Sequence, residues 1–245
     1  MIELTNILQL GCDGMVLLSS IPQKFFGLFH SHGLPIQLNK GSFVFREGER
    51  AENIFFVESG AVQIGKESES GKELTIRICG PNSVFGESAL FCNMNVHTAT
   101  AKALRPSKLL ALNVDALELL LSENPNLLLE YVQWVQIENT KNQTRLRDLV
   151  MHGKKGALYS TLIRLANTYG SPLANGDIFI DMNLTNTDIA NLCGTSREMI
   201  NRMLNDLKKQ HIISFERGEI VIHEIQTLKK EIDCDNCPLT ICRID

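Results

Sequence analysis

The sequence predicts an α+β chain in three successive parts: an N-terminal β-domain, one long helix, and a small C-terminal domain of helices and a hairpin. Three observations predict it. From about residue 35 to 115, short apolar runs alternate with glycines at 41, 48, 60, 71, 80 and 86, near the spacing of an all-β roll or sandwich. Beyond Asn124-Pro125 no proline occurs for 46 residues, enough room for a long helix. Residues 185–204 carry the caps and apolar spacing of two short helices meeting at a tight turn.

Composition agrees with two modest globular units. The 245 residues are 44% hydrophobic and 21% charged, which excludes disordered and collagen-like chains. No apolar stretch approaches the ~20 residues of a membrane span, and no signal-peptide pattern opens the chain. A cytoplasmic protein without a membrane partner is expected. Lys+Arg 24 against Asp+Glu 28 leaves a net charge of -4, which argues against a nucleic-acid partner unless the charge is unevenly spread.

The β-domain, with its leading segment, is assigned to 1–120. Its strands are read at Ser42–Phe45, Ile54–Val57, Ala61–Ile64, Leu74–Ile78 and Leu109–Leu112, with Glu67 to Glu73 as an exposed hairpin turn. Asn124 then supplies an N-cap and Pro125 a first helical residue. His152-Gly153 supplies a stop, so the long helix is assigned to 124–152. Along it Leu128, Val132, Val135, Asn139, Asn142, Leu146 and Leu149 follow 4-3-4-3-4-3 spacing, the seam of a two-stranded coiled coil, which predicts a homodimer. The alternative is a helix packed on its own domain.

The C-terminal domain is assigned to 153–230. Five basic residues and one acid, Asp148, lie between Arg145 and Arg164, a local positive excess that a DNA-facing end would show. Thr185 caps a helix whose Ile189, Ala190 and Leu192 face inward, Gly194 sits at the turn, and Ser196 caps a second helix. On that helix Met199, Ile200, Met203, Leu204 and Leu207 form an apolar stripe, leaving Arg197, Glu198, Asn201 and Arg202 for the major groove. Arginine can donate two bonds to guanine, and a carboxylate can accept from cytosine. Ile212 to Ile222, with Gly218 at its turn, reads as a hairpin, making a winged helix-turn-helix.

Seven cysteines is an odd count. Cys12, Cys79, Cys92 and Cys193 are scattered, and the last three lie in apolar contexts that read as core. Cys234, Cys237 and Cys242 fall together in a tail assigned to 231–245. Close-spaced thiolates suit zinc and an iron–sulfur cluster equally, with a redox-active Cys234/Cys237 pair as a third reading.

On this order of parts, and on the Arg-Glu-x-x-x-Arg pattern at 197–202, the chain resembles the cyclic AMP receptor protein and FNR superfamily of bacterial transcription regulators. The resemblance runs from about residue 25 to the end. It implies a β-roll (double-stranded jelly-roll) sensor domain, a dimerisation helix, contact with RNA polymerase, and base reading by Arg197, Glu198 and Arg202 at palindromic TGTGA-type half-sites, with Ser196 and Thr185 beside the DNA. The Cys-x2-Cys-x4-Cys tail and the stretch Arg147 to Arg164 look more narrowly like FNR proteins of Bacillus and related bacteria. That likeness implies one 4Fe-4S cluster per subunit on Cys234, Cys237, Cys242 and Asp148. Read without it, Asp148 is a helix-surface acid paired with Arg145 or Arg147, and Asp233 and Asp235 are rival ligands.

Phe85 to Phe91 and His97 to Ala99 resemble the cassette that cradles a cyclic phosphate in cyclic AMP receptors. His97 stands where those proteins carry an arginine, so cyclic-nucleotide binding is not expected. The resemblance implies an oxygen-responsive regulator of anaerobic and nitrate-respiration genes, able to bind DNA when its cluster is intact. The runner-up is a regulator with a structural zinc tail and a small-molecule effector in the β-roll. A redox enzyme or electron carrier finds no support in a Rossmann fingerprint, Walker A motif or nucleophile elbow.

Overall fold

The computed structural model describes residues 23–92 and 95–245; Cys12 lies outside the described residues. Helix α1 (Gln23–His32) buries Phe25, Phe26, Leu28 and Phe29. Strands β1 (Leu34–Leu38), β2 (Phe43–Phe45), β3 (Asn53–Glu67), β4 (Glu73–Cys79), β5 (Val84–Phe85) and β6 (Thr100–Asn113) form one antiparallel sheet. Its path is β1-β6-β3-β4, with β2 on β6 and β5 on β3. The turn expected between Glu67 and Glu73 joins β3 to β4, closed by Ser68 and Gly71 backbone bonds.

Ile54–Val57 and Ala61–Ile64 are halves of the single strand β3, and Leu109–Leu112 is the end of the 14-residue β6. The glycine that suggested a break, Gly60, sits at φ +97, and a Cβ there would stand 2.2 Å from Ser107 Oγ. The β3–β6 register shifts on both sides of it, so the strand bends through a bulge and continues. Rings of Phe45, Phe55 and Phe85 fill the inner core of the roll.

Helix α2 (Val114–Glu123), capped by Asn113 Oδ1 on the Ala116 amide, leads into α3 (Pro125–Tyr169). The expected stop at Gly153 is a kink instead. Gly153 takes φ 60 and ψ -152, and helix resumes to Tyr169. Only glycine adopts that conformation at little cost.

One face of α3 packs on its own domain. Phe25 meets Tyr131 and Trp134 with ring centroids 5.6 and 5.8 Å apart, and Leu128 and Val135, placed in the seam from the sequence, are partly buried against the same core. Leu129, Val132, Leu146, Leu149 and Val150 stay exposed, the last at 70%. Asn139 and Asn142 are exposed between them. The free face of the helix is therefore rotated toward Leu129 and Val150 relative to the expected seam.

The C-terminal part holds β7 (Gly170–Pro172), β8 (Ile178–Ile180), α4 (Asn186–Leu192), α5 (Arg197–Lys209), β9 (Ile213–Glu216), β10 (Glu219–Ile222) and α6 (Ile225–Lys230), its sheet ordered β7-β8-β10-β9. Its core joins Leu158, Leu162 and Ile163 of α3 to Ile189, Ile200, Leu204 and Ile220, and takes in Ala61 and Ile78 of the β-roll. The boundary assigned at 153 therefore falls inside α3, and the core beyond it takes in residues from the β-roll. Asn191 on α4 also donates to Glu73 on β4 at 2.8 Å. Among the described residues no helix is long and apolar enough to cross a membrane.

Candidate functional site

The helix-turn-helix forms as its caps require. Thr185 Oγ1 accepts from the Asp188 amide while the Asp188 carboxylate accepts from the Thr185 amide, a reciprocal capping box. Ser196 caps α5 through the Met199 amide. Both hydroxyls are thus engaged in placing helix ends. Helix α5 buries Ile200, Leu204 and Leu207; Met199 and Met203 are half-buried, so the apolar stripe is narrower than its spacing suggests.

Arg197, Glu198, Asn201 and Arg202 are exposed on the opposite face. Backbone and Ser196 hydrogen bonds hold the Glu198 carboxyl below its ordinary pKa, so it stands ready as an acceptor. The wing turns at Arg217 and Gly218, both with positive φ, as a two-residue hairpin needs. His223 ties the wing to the rest of its sheet, bonded to Ser214 Oγ at 2.6 Å and Asp177 Oδ2 at 2.7 Å.

The basic stretch does not form a DNA-facing end. Arg145 donates inward to the carbonyls of Ile76 and Arg243, each at 2.9 Å. Burial, with Arg164 and Arg77 nearby, pushes its pKa down to about 10. Arg164 is 3% exposed, and Arg147 pairs with Asp148 and Asp235. Lys154 and Lys155 alone of the five are exposed, and Lys155 pairs with Glu231.

Those inward arginines hold the cysteine tail. Five successive carbonyls, from Ile241 to Asp245, accept from Arg164, Asn167, Arg145, the Ile78 amide and Lys141 in turn. The donors come from α3 on both sides of the kink and from β4. Ile244, 3% exposed, enters the C-terminal core. Lys141 also pairs with Glu138 at 2.8 Å, Glu138 with Arg77 at 2.8 Å, and Arg77 with both Glu87 oxygens at 2.9 Å. An ionic chain therefore runs from the tail to the β-roll cassette. Burial opposes the Arg77 charge, but Glu87 and Glu138 more than offset it and hold the pKa above the ordinary value.

Cys234, Cys237 and Cys242 are half-buried and form no disulfide among the described residues. Burial pushes the Cys242 thiol up, and its neighbours Arg164, Cys234 and Cys237 all act on it. Asp148 is not on the surface: it is 3% exposed. Its Oδ1 accepts from Arg147 Nε at 3.0 Å and Nη2 at 2.7 Å, and its Oδ2 from Ser160 at 2.5 Å and Arg164 at 3.3 Å. The pairing with Arg147 matches one sequence reading; Arg145 takes no part. Among the described residues no three His, Cys, Asp or Glu side chains converge as ligands of one ion. A mononuclear metal needs that convergence, whereas in an iron–sulfur cluster each thiolate binds a different iron and the ligands stand further apart. Three thiols around a carboxylate helix fit such a cluster as a donor set.

The scattered cysteines divide differently from expectation. Cys79 and Cys193 are core, their thiols pushed up to about 12 by burial, but Cys92 is exposed. His97 is 3% exposed and stacked on Phe45 at 3.5 Å, with no partner for Nδ1 among the described residues and its pKa lowered by burial. A neutral ring in that position offers no charge to a phosphate, and Glu87 is already taken by Arg77. Sequence reasoning did not find Arg77 on β4 or Glu138, Lys141 and Ser160 on α3, since no periodicity marks a polar group that is turned inward.

The cyclic nucleotide-binding domain family matches residues 35–124, and the Crp-like helix-turn-helix domain family matches residues 156–231. The anaerobic regulatory protein of Bacillus subtilis (strain 168) is 42% identical over 226 residues, covering 92% of this chain and 94% of that protein. The global nitrogen regulator of Nostoc sp. is 30% identical over 189 residues, covering 77% and 84%. In fold the chain is similar to FixK2 from Bradyrhizobium japonicum, at TM-score 0.70 and 19% identity over 81% of this chain and 96% of that one. A CRP-family transcriptional regulator of Thermus thermophilus gives 0.68 and 20%, with the same coverage.

Proposed function

The chain belongs to the CRP/FNR family of transcription regulators, and from that membership we propose that it controls anaerobic genes as a homodimer whose DNA binding depends on an oxygen-labile 4Fe-4S cluster in each subunit. It is a DNA-binding regulator and not an enzyme. The observation that carries the finer reading is the seating of the cysteine tail. Residues 241–245 lie against both halves of α3 and against β4, beside a buried carboxylate.

Cys234, Cys237 and Cys242 would hold the cluster with Asp148 as the fourth ligand, and the group would supply a reporter that oxygen destroys. A carboxylate is a harder, more exchangeable donor to iron than a thiolate, which suits a corner open to oxygen. The residues of the chain do the rest. The tail fixes the distance between α3, which carries the free apolar face for a second subunit, and the core beneath the recognition helix. Arg197, Glu198 and Arg202 would read TGTGA-type half-sites, whose two-fold repeat matches a dimer. The β-roll would take no cyclic nucleotide, because Arg77 already neutralises Glu87 and His97 is buried and neutral; its outer surface is left to RNA polymerase.

Protein purified without oxygen should contain iron and acid-labile sulfide in near-equal amounts, about four of each per chain, and lose both in air. Zinc with neither iron nor sulfide would overturn the cluster.

A further inference from the structure

Two arginines join Asp148 to opposite ends of the cysteine loop. Arg147 is bonded to Asp148 through Nε and Nη2, and its remaining nitrogen, Nη1, pairs with Asp235, the residue after Cys234. Arg164 reaches Asp148 Oδ2 through Nη2 at 3.3 Å and the carbonyl of Ile241, the residue before Cys242, through Nη1 at 3.2 Å. Its Nε donates to Ser160, which in turn donates to Asp148. The carboxylate is thereby both charge-paired and buried, and each end of the loop that carries the thiols is fastened beside it.

We propose that Arg147 and Arg164 are positioning residues that clamp the cysteine loop against Asp148 before any metal arrives. The proposal deepens the reading of this tail as a cluster site and rests on it for its purpose. A loop of nine residues carrying three thiols would otherwise have to lose its freedom during assembly, at an entropic cost for every residue ordered. Here protein side chains have already ordered it. Arginine suits the task because its planar fork spans two acceptors at once, which a lysine ammonium does less well. Asp148 accepts four hydrogen bonds, from Arg147, Ser160 and Arg164, so it would serve as a ligand only by giving up one of these donors.

Arg147 is the arginine to change, since its side chain is 30% exposed while Arg164 is buried. Asp235, 61% exposed, gives a second variant from the loop side. In metal-free protein, Arg147→Met and Asp235→Asn should each speed amide exchange across residues 234–242 by about tenfold, with exchange in α5 unchanged, as expected when a charge-assisted bond holding a local unit is lost. On anaerobic reconstitution with ferrous iron and sulfide, both should load several-fold more slowly than wild type. Arg147→Lys, which keeps the charge and loses the fork, should load no better than Arg147→Met. Wild-type exchange and loading in both neutral variants, or full rescue by lysine, would overturn the clamp. If the wild-type chain takes up neither iron nor sulfide, the cluster reading fails, and the exchange comparison alone then decides whether the loop is clamped.

Discussion

Replacing Leu162 with alanine should lower the unfolding free energy by about 2–5 kcal/mol, the range for truncating a buried leucine in a core that cannot collapse around the cavity. Leu162 is fully buried on the second half of α3. Its core is walled by α4, α5 and β10 and also includes Ala61 and Ile78 from the β-roll. Elements fixed by separate sheets cannot all close on the vacancy, so the cost belongs in the upper part of that range. Because Ile78 and the tail residue Ile244 share this core, the variant should also loosen the cysteine tail. Urea unfolding at matched protein concentration measures the first effect, and amide exchange at residues 241–245 the second. A loss below about 1 kcal/mol would contradict a core shared between the two domains.

Arg202→Ala should weaken binding to a TGTGA palindrome by about 1–3 kcal/mol per half-site and relax discrimination at the base it reads. The geometry supports a direct contact. Arg202 is exposed on α5, on the side away from Ile200, Leu204 and Leu207. Its Nη2 lies 2.9 Å from the Met199 sulfur, a weak acceptor that a guanine would displace at little cost. Titration at fixed salt against the palindrome and against scrambled DNA separates base reading from phosphate attraction, since a phosphate contact would weaken both equally. An unchanged ratio of the two affinities would remove Arg202 from the readers.

Local signals explain what was legible in the sequence. Thr185, Asp188, Gly194 and Ser196 are caps and a turn, whose roles depend on neighbours a few residues away, and each stands where its pattern placed it. The hairpins at Gly71 and Gly218 were readable for the same reason. Glycine misled where tertiary packing chose its meaning: Gly60 is a bulge inside a strand, and Gly153 a kink inside a helix. Heptad spacing showed that α3 has apolar faces but could not divide them, because Tyr131, Trp134 and Val135 turn toward aromatic residues of α1 that lie about 100 positions earlier in sequence.

Charge was the least legible property. Counting Arg145, Arg147 and Arg164 as a solvent-facing basic end failed because each finds a carbonyl or carboxylate distant in sequence. The same partners turn a surface acid, as Asp148 reads on a helix, into a buried one. Resemblance named Asp148 and the three cysteines together; the structure adds the arginines between them and the five carbonyl bonds that seat the tail.

Control of DNA binding by cluster occupancy is tested most directly by measuring the affinity of one anaerobically loaded sample for a TGTGA palindrome before and after air exposure, with iron and sulfide assayed at both points. Loss of iron and sulfide should weaken specific binding by about tenfold or more, a change of about 1.4 kcal/mol or greater. Equal affinity in the loaded and the iron-free protein would contradict that control.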